Sequence, residues 1–194
     1  MSHPTLVFIR HGETEWNVAR RLQGQRDIPL NDRGRAQARR NGQMAATHIP
    51  GIAAYDFVAS PLERARETME IARAAMDLDP TAYRIDDRLR EITFGDWEGF
   101  TTEELRETQP DLVDAREEDK WGFLPPGGES YRMLSDRTAA WLNTIDRDTV
   151  AVSHGGIGRV LIGLITGLAP AETVSLDFHQ DRFLLWRDGT VTWI

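Results

Sequence analysis

The chain has no cysteine among its 194 residues. That excludes disulfides, a thiolate nucleophile and cysteine-ligated metal sites. It also has no apolar run of membrane-spanning length, since the stretch from Val160 to Ala169 falls far short of the roughly 20 residues needed. Met1-Ser2-His3-Pro4 carries no basic n-region, and Arg10 interrupts the apolar run that follows, so no signal peptide is expected. A basic surplus is missing as well. With 23 Lys and Arg against 31 Asp and Glu the formal net charge is −8, which opposes a broad electrostatic footprint for nucleic acid or an anionic membrane. Any anion must therefore be met by a local group of cations. Together these absences lead us to expect a cytoplasmic protein that binds neither nucleic acid nor membrane.

What is present suits one globular domain over residues 1–194: 40% hydrophobic and 28% charged residues, with no repeat, low-complexity segment or linker. Three short β-rich runs, Thr5 to Ile9, Asp56 to Ala59 and Thr149 to Val152, are continuously apolar, as strands covered on both faces are. Helical patterns lie between them, over Arg33 to Thr47, Pro61 to Met76 and Glu129 to Ile145. Alternation of strand and helix predicts an α/β fold, a three-layer α/β/α sandwich around a mostly parallel mixed sheet. The segment from Thr101 to Gly128 reads as a short cover insertion: a helix over Thr102 to Glu107, a polar stretch, then Pro125-Pro126-Gly127-Gly128. Near the C-terminus, Val174 to Phe178, Arg182 to Trp186 and Thr190 to Ile194 are expected strands, with Asp188-Gly189 turning a hairpin between the last two. An exposed strand edge there gives a route to a homodimer.

The most informative junction is Arg10-His11-Gly12, directly after the first apolar run. It sets a guanidinium, which forks onto phosphate oxygens, beside an imidazole that can attack phosphorus. Ser60, Pro61 and Glu63 read as an N-cap, first helical position and capping box, which puts Arg64 in the first turn of a helix after the second strand. His154 ends the third strand, and Gly155-Gly156 open the helix after it. Three reactive positions thus share the carboxyl edge of a sheet, where open α/β folds bind ligands and helix N-termini favour anions.

Read alone, His11 or His154 is more often a hydrogen-bonded structural histidine, Glu91 a surface residue, and Arg64 an exposed ion-pair partner of little worth. The company they keep changes that. Asn17, Gly24 and Asp27-Ile28-Pro29-Leu30-Asn31-Asp32-Arg33-Gly34 follow the first junction. Farther on come Ser60-Pro61-Leu62-Glu63-Arg64-Ala65-Arg66-Glu67-Thr68, Arg90-Glu91-Ile92-Thr93-Phe94-Gly95-Asp96-Trp97-Glu98-Gly99, Pro126-Gly127-Gly128-Glu129-Ser130 and Ser153-His154-Gly155-Gly156. In this order, over nearly the whole chain, the blocks closely resemble the histidine phosphatase superfamily in its phosphoglycerate mutase-like branch.

The resemblance implies that His11 is the nucleophile and Glu91 the proton donor, with Arg10, Arg64 and His154 forming the phosphate pocket. It also matches Asn17 to a phosphate-contacting residue; with Gln23, Gly24 and a backbone amide at Gly155, Asn17 completes the expected substrate-binding set. The chemistry is coherent: cations hold the equatorial oxygens, neutral His11 forms a phosphohistidine, and Glu91 protonates the leaving alkoxide. Glu13 is the rival acid, ranked second. No metal or cofactor is expected, because His11 and His154 lack a third ligand at a recognisable spacing. Arg33, Arg35, Arg39 and Arg40 read as a solvated helix face, and Trp97, Trp121 and Trp141 as core or wall.

The superfamily contains phosphatases and mutases. Mutases usually carry Asn after His-Gly, where this chain has Gly156, and a longer middle segment with paired arginines, where it offers Arg116. Hydrolysis of a small phosphorylated metabolite is therefore the leading expectation. A phosphoglycerate mutase-type transfer comes next, and a non-catalytic module binding phosphorylated ligands last. Few cations in Thr101 to Gly128 suggest a substrate with one principal phosphate.

Overall fold

The computed structural model describes residues 3–194; Met1 and Ser2, the start of the segment read for a signal peptide, lie outside them. The first strand, β1 (Leu6–Arg10), leads through a short helix, α1 (Glu15–Val18), to α2 (Asp32–His48). Next come β2 (Asp56–Ala59), α3 (Glu63–Ala75) and the two-residue β3 (Arg84–Ile85). The insertion holds α4 (Thr102–Thr108) and α5 (Pro110–Glu118), and is followed by α6 (Tyr131–Leu142). The chain closes with β4 (Thr149–Ser153), α7 (Gly155–Thr166), α8 (Pro170–Thr173), β5 (Phe183–Arg187) and β6 (Thr190–Trp193).

The strands form one sheet in the order β3-β2-β4-β1-β5-β6. β2, β3, β4 and β1 run parallel, and β5 and β6 are antiparallel additions. Because side chains alternate between the faces of a strand, β1 serves two cores. Leu6 and Phe8 join Leu134, Trp141, Ile157 and Leu161 beneath α6 and α7. Val7 and Ile9 join Ala45, Ala65, Met69 and Ala72 beneath α2 and α3. The result is the three-layer α/β/α sandwich with a mostly parallel mixed sheet that the alternation implied. Asp188 and Gly189 turn the final hairpin with positive φ at both residues, 51° and 75°, as a two-residue type I′ turn requires.

Three expectations are corrected. Val174 to Phe178 is not a strand: Val174 and Phe178 are buried under α7, and carbonyls of this segment are taken by side chains instead of by a neighbouring strand. The polar stretch after α4 is a second helix, α5, with Pro110 in its first turn; its face buries only Val113, too little to show as a pattern. Finally, α3 starts at Glu63 with Leu62 as N-cap, so Ser60 and Glu63 form no capping box. The backbone N–H of Glu63 donates to Asp27 (2.8 Å), and the Ser60 hydroxyl is engaged by His154. Arg64 still falls in the first turn, as expected.

Candidate active site

Register brings the two histidines together. β1 and β4 pair Arg10 with Ser153, and the backbone N–H of His11 donates to the Ser153 carbonyl (2.9 Å), so His11 and His154 leave adjacent strands side by side. Their ring centroids are 5.1 Å apart. β2 borders β4 on its other side, and Ser60 N donates to the Val152 carbonyl, which delivers α3 and Arg64 to the same edge.

His11 is buried, and its Nδ1 lies 2.7 Å from the Gly12 carbonyl oxygen. A carbonyl only accepts, so Nδ1 carries the proton and neutral Nε2 keeps its lone pair. The Arg64 Nε donates towards that nitrogen at 3.3 Å. Burial first, then the charges of Arg64 and Arg10, push the His11 pKa well below 6.5, against a smaller upward pull from the Gly12 hydrogen bond. Arg64 is itself fully buried, its fork fixed by the carbonyls of Arg26 (2.6 Å) and Gly24 (2.7 Å). Arg10 donates to the Phe178 carbonyl (2.6 Å), while its buried Nε has no partner. Burial and then the nearby Arg159 charge lower the Arg10 pKa to about 10, which leaves it cationic at neutral pH.

A cavity of about 250 Å³ opens in front of these groups. Arg10, His11 and Arg64 line it together with Glu91, Asn17, Gln23 and Gly24. His154 and Gly155 stand behind this wall. His154 is fully buried, with Nε2 2.7 Å from the Ser60 hydroxyl and Nδ1 without a partner. Gly155 backs onto the Arg10 guanidinium, and Gly156 supplies the wall in its place. The Glu91 carboxylate accepts the Gly156 N–H through both oxygens (3.1 Å each) and the Ile92 N–H through Oε1 (2.9 Å). Glu13 points elsewhere, accepting from Asn31 (3.0 Å) and pairing with Arg33 (3.4 Å). Asn17 uses its carbonyl in the capping box of α1 and as acceptor for Gln180 (3.1 Å), which leaves its amide N–H₂ to face outward.

Against this geometry, a family description reading histidine phosphatase superfamily (branch 1) matches residues 6–183. The chain belongs to that superfamily. Glucosyl-3-phosphoglycerate phosphatase of Mycolicibacterium vanbaalenii is 36% identical over 176 residues, covering 84% of this chain and 74% of that protein. Phosphoglycerate mutase-like protein 4 of Arabidopsis thaliana is 34% identical over 167 residues, 83% of this chain and 70% of that one. Among solved structures, the α-ribazole phosphatase of Shigella flexneri superposes with a TM-score of 0.82 at 25% identity, covering 98% of this chain and 94% of that one. This member of the superfamily is therefore an enzyme of a phosphatase-containing group.

Several residues at the site of this histidine phosphatase escaped the sequence reading. Arg159 lies four residues beyond Gly155 on α7, so helical spacing could have found it. Tyr131, at the start of α6, carried no local signal. Glu98 accepts from the Gln25 N–H (3.0 Å), the Phe94 N–H (3.1 Å) and the Thr93 hydroxyl (2.8 Å), and so pins the loop of Gln23 and Gly24 to the loop of Glu91. Gly24, with φ at 51°, packs directly on that carboxylate, where no Cβ fits. Trp121 packs against the main core and is not among the cavity residues.

Proposed function

We propose that this chain, acting as one domain over residues 1–194, hydrolyses the phosphomonoester of a small phosphorylated metabolite through a phosphohistidine on His11. The observation that carries this reading is the state of His11: Nδ1 tied to the Gly12 carbonyl, Nε2 neutral, and two guanidinium groups beside it in a cavity wall. Nε2 attacks phosphorus while the bond to the leaving oxygen breaks, and Glu91 gives that oxygen a proton. Water then attacks the phosphohistidine, Glu91 takes its proton, and inorganic phosphate leaves with His11 restored. Arg10 and Arg64 hold the equatorial oxygens, with Asn17 adding a donor, His154 set behind them as a further one, Gln23 and Gly24 shaping the pocket, and Gly155 backing Arg10. These steps use no cofactor or metal.

The relative named as mutase-like supports a second reading, in which the phosphohistidine returns its phosphoryl group to a second hydroxyl. Assays with p-nitrophenyl phosphate, and of interconversion between 2- and 3-phosphoglycerate, separate the two. The expected result is release of phosphate, an acid-labile and alkali-stable phosphoenzyme, and loss of both in His11→Ala. Undiminished turnover in His11→Ala refutes the reading. Phosphate binding without any turnover would make the chain a binding module.

A further inference from the structure

The stretch between α8 and β5 is fastened through its main chain. Its Phe178 carbonyl accepts from Arg10 Nη1 (2.6 Å), its Gln180 carbonyl from Nδ2 of the buried Asn41 on α2 (3.0 Å), and its Asp181 carbonyl from Arg40. These bonds use no side chain of the stretch itself, so the half-buried Gln180 carboxamide is left for another task. Its Nε2 lies 3.1 Å from the main-chain oxygen of His11 and 3.1 Å from Asn17 Oδ1. A main-chain carbonyl only accepts, so the group facing it is the amide N–H₂, whose two hydrogens serve the two oxygens. One side chain thus ties the nucleophile's own carbonyl to Asn17 from 169 and 163 residues away, a separation that no local pattern marks.

An amide turns either its oxygen or its nitrogen to a given neighbour, and only the nitrogen donates to a phosphoryl oxygen. Asn17 Oδ1 receives the Thr14 N–H (3.1 Å) and the Thr14 hydroxyl (3.2 Å) as well as Gln180, which leaves Nδ2 for the cavity that Asn17 lines. The Thr14 contacts belong to the capping box of α1 and turn with that helix. Of the three donors, Gln180 alone refers the Asn17 amide to the His11 main chain. Gln180 does not line the cavity itself.

We propose that Gln180 is a positioning residue for phosphoryl transfer: its N–H₂ holds the Asn17 amide with the nitrogen towards substrate and in fixed relation to His11. The inference rests on the phosphomonoesterase reading of the same site.

Gln180→Met, Asn17→Ala and their combination test it, since Met matches the length of Gln and removes its donors. Inorganic phosphate, titrated by calorimetry, and turnover of p-nitrophenyl phosphate are the probes. Each single change should weaken phosphate binding and lower kcat/KM by about tenfold or more, the worth of a hydrogen bond to a charged group. The double variant should be at most about threefold worse than either single one, because the two side chains act as a unit. Losses that multiply, or a Gln180→Met protein that matches its parent, overturn the role. The parent protein supplies a readout that needs no variant to fold: side-chain amide signals in ¹⁵N NMR. Added phosphate should shift the Asn17 N–H₂ signal and leave that of Gln180 nearly in place. A Gln180 signal that moves as far, or an Asn17 signal that stays, overturns the role as well. Coupled losses of phosphate binding in a protein that turns over no ester would sink the phosphatase reading and leave the role of Gln180 standing. Turnover through His11 with losses that multiply would do the reverse.

Discussion

The Ser60 hydroxyl and His154 Nε2 meet at 2.7 Å in a fully buried contact that joins the end of β2 to the end of β4. The Leu62 N–H reaches the same hydroxyl at 3.4 Å, so the Ser60 proton is free to point at the ring. Donation to Nε2 places the imidazole proton on Nδ1, the buried nitrogen that has no protein partner. A neutral His154 can then donate to a phosphoryl oxygen. We predict the Nδ1-protonated tautomer, readable by ¹⁵N NMR. Ser60→Ala should cost about 1–3 kcal/mol in urea unfolding, the range for a buried group left unpaired, and lower kcat/KM as well. An Nε2-protonated ring would refute the assignment.

Gly156 sets the position of Glu91. A Cβ at that residue would collide with Glu91 Oε1, the mobile end of a side chain, so the carboxylate must swing away while the backbone stays. Gly156→Ala is therefore expected to lower turnover of alkyl phosphates by about 10-fold or more, part of the 10²–10⁴ that general-acid catalysis contributes. Its thermal midpoint should stay near that of the parent. Full activity in this variant would separate Glu91 from proton transfer.

The two candidate acids are distinguishable by leaving group. Glu91→Gln should cost about 10²–10⁴ with alkyl phosphates and much less with p-nitrophenyl phosphate, whose phenolate leaves without a proton. Glu13→Gln, which touches Asn31 and Arg33 outside the cavity, should change both substrates alike and mildly. The reverse order would exchange the roles.

Burial and the Arg64 charge hold both His11 and His154 well below the ordinary 6.5. The nucleophile is thus already neutral at pH 6.5, and the acid limb of kcat/KM should lie below that value. Stability follows the same protons. Under pH 6.5 the unfolded chain protonates these histidines and the native state does not, so unfolding free energy falls as pH drops from 6.5 towards the folded values. Above 6.5 both states are neutral and this contribution to the slope ends. Urea midpoints should stay close between pH 7.5 and 6.5 and fall between 6.5 and 5.5, less steeply in His11→Gln. Identical slopes in the two proteins would contradict the shift.

Strands β1, β2 and β4 were legible because continuous apolar runs between turn residues have few other uses in a chain of this size. Helix α5 was hidden by its single buried side chain, Val113. The C-terminal run Val174 to Phe178 looked like a strand because burial, not pairing, had selected its Val, Leu and Phe. At the site, Arg10, His11, Arg64, Glu91 and His154 stood in recognisable local blocks. Arg159 and Tyr131 did not; Glu98 stood inside such a block, but its part in joining two loops depends on Gln25, which lies far away in the sequence.

By itself the sequence determined the layered α/β architecture, the superfamily, and the positions able to carry phosphoryl chemistry, because periodicity and short motifs are local properties of the chain. Tertiary structure decided the rest: which nitrogen of His11 carries its proton, that Gly156 and not Gly155 faces the cavity, and that Lys120, Arg159 and Arg10 each donate to a carbonyl of the Val174 to Phe178 segment. Those depend on which carbonyl or hydroxyl a distant segment brings within about 3 Å, a distance that sequence spacing does not encode.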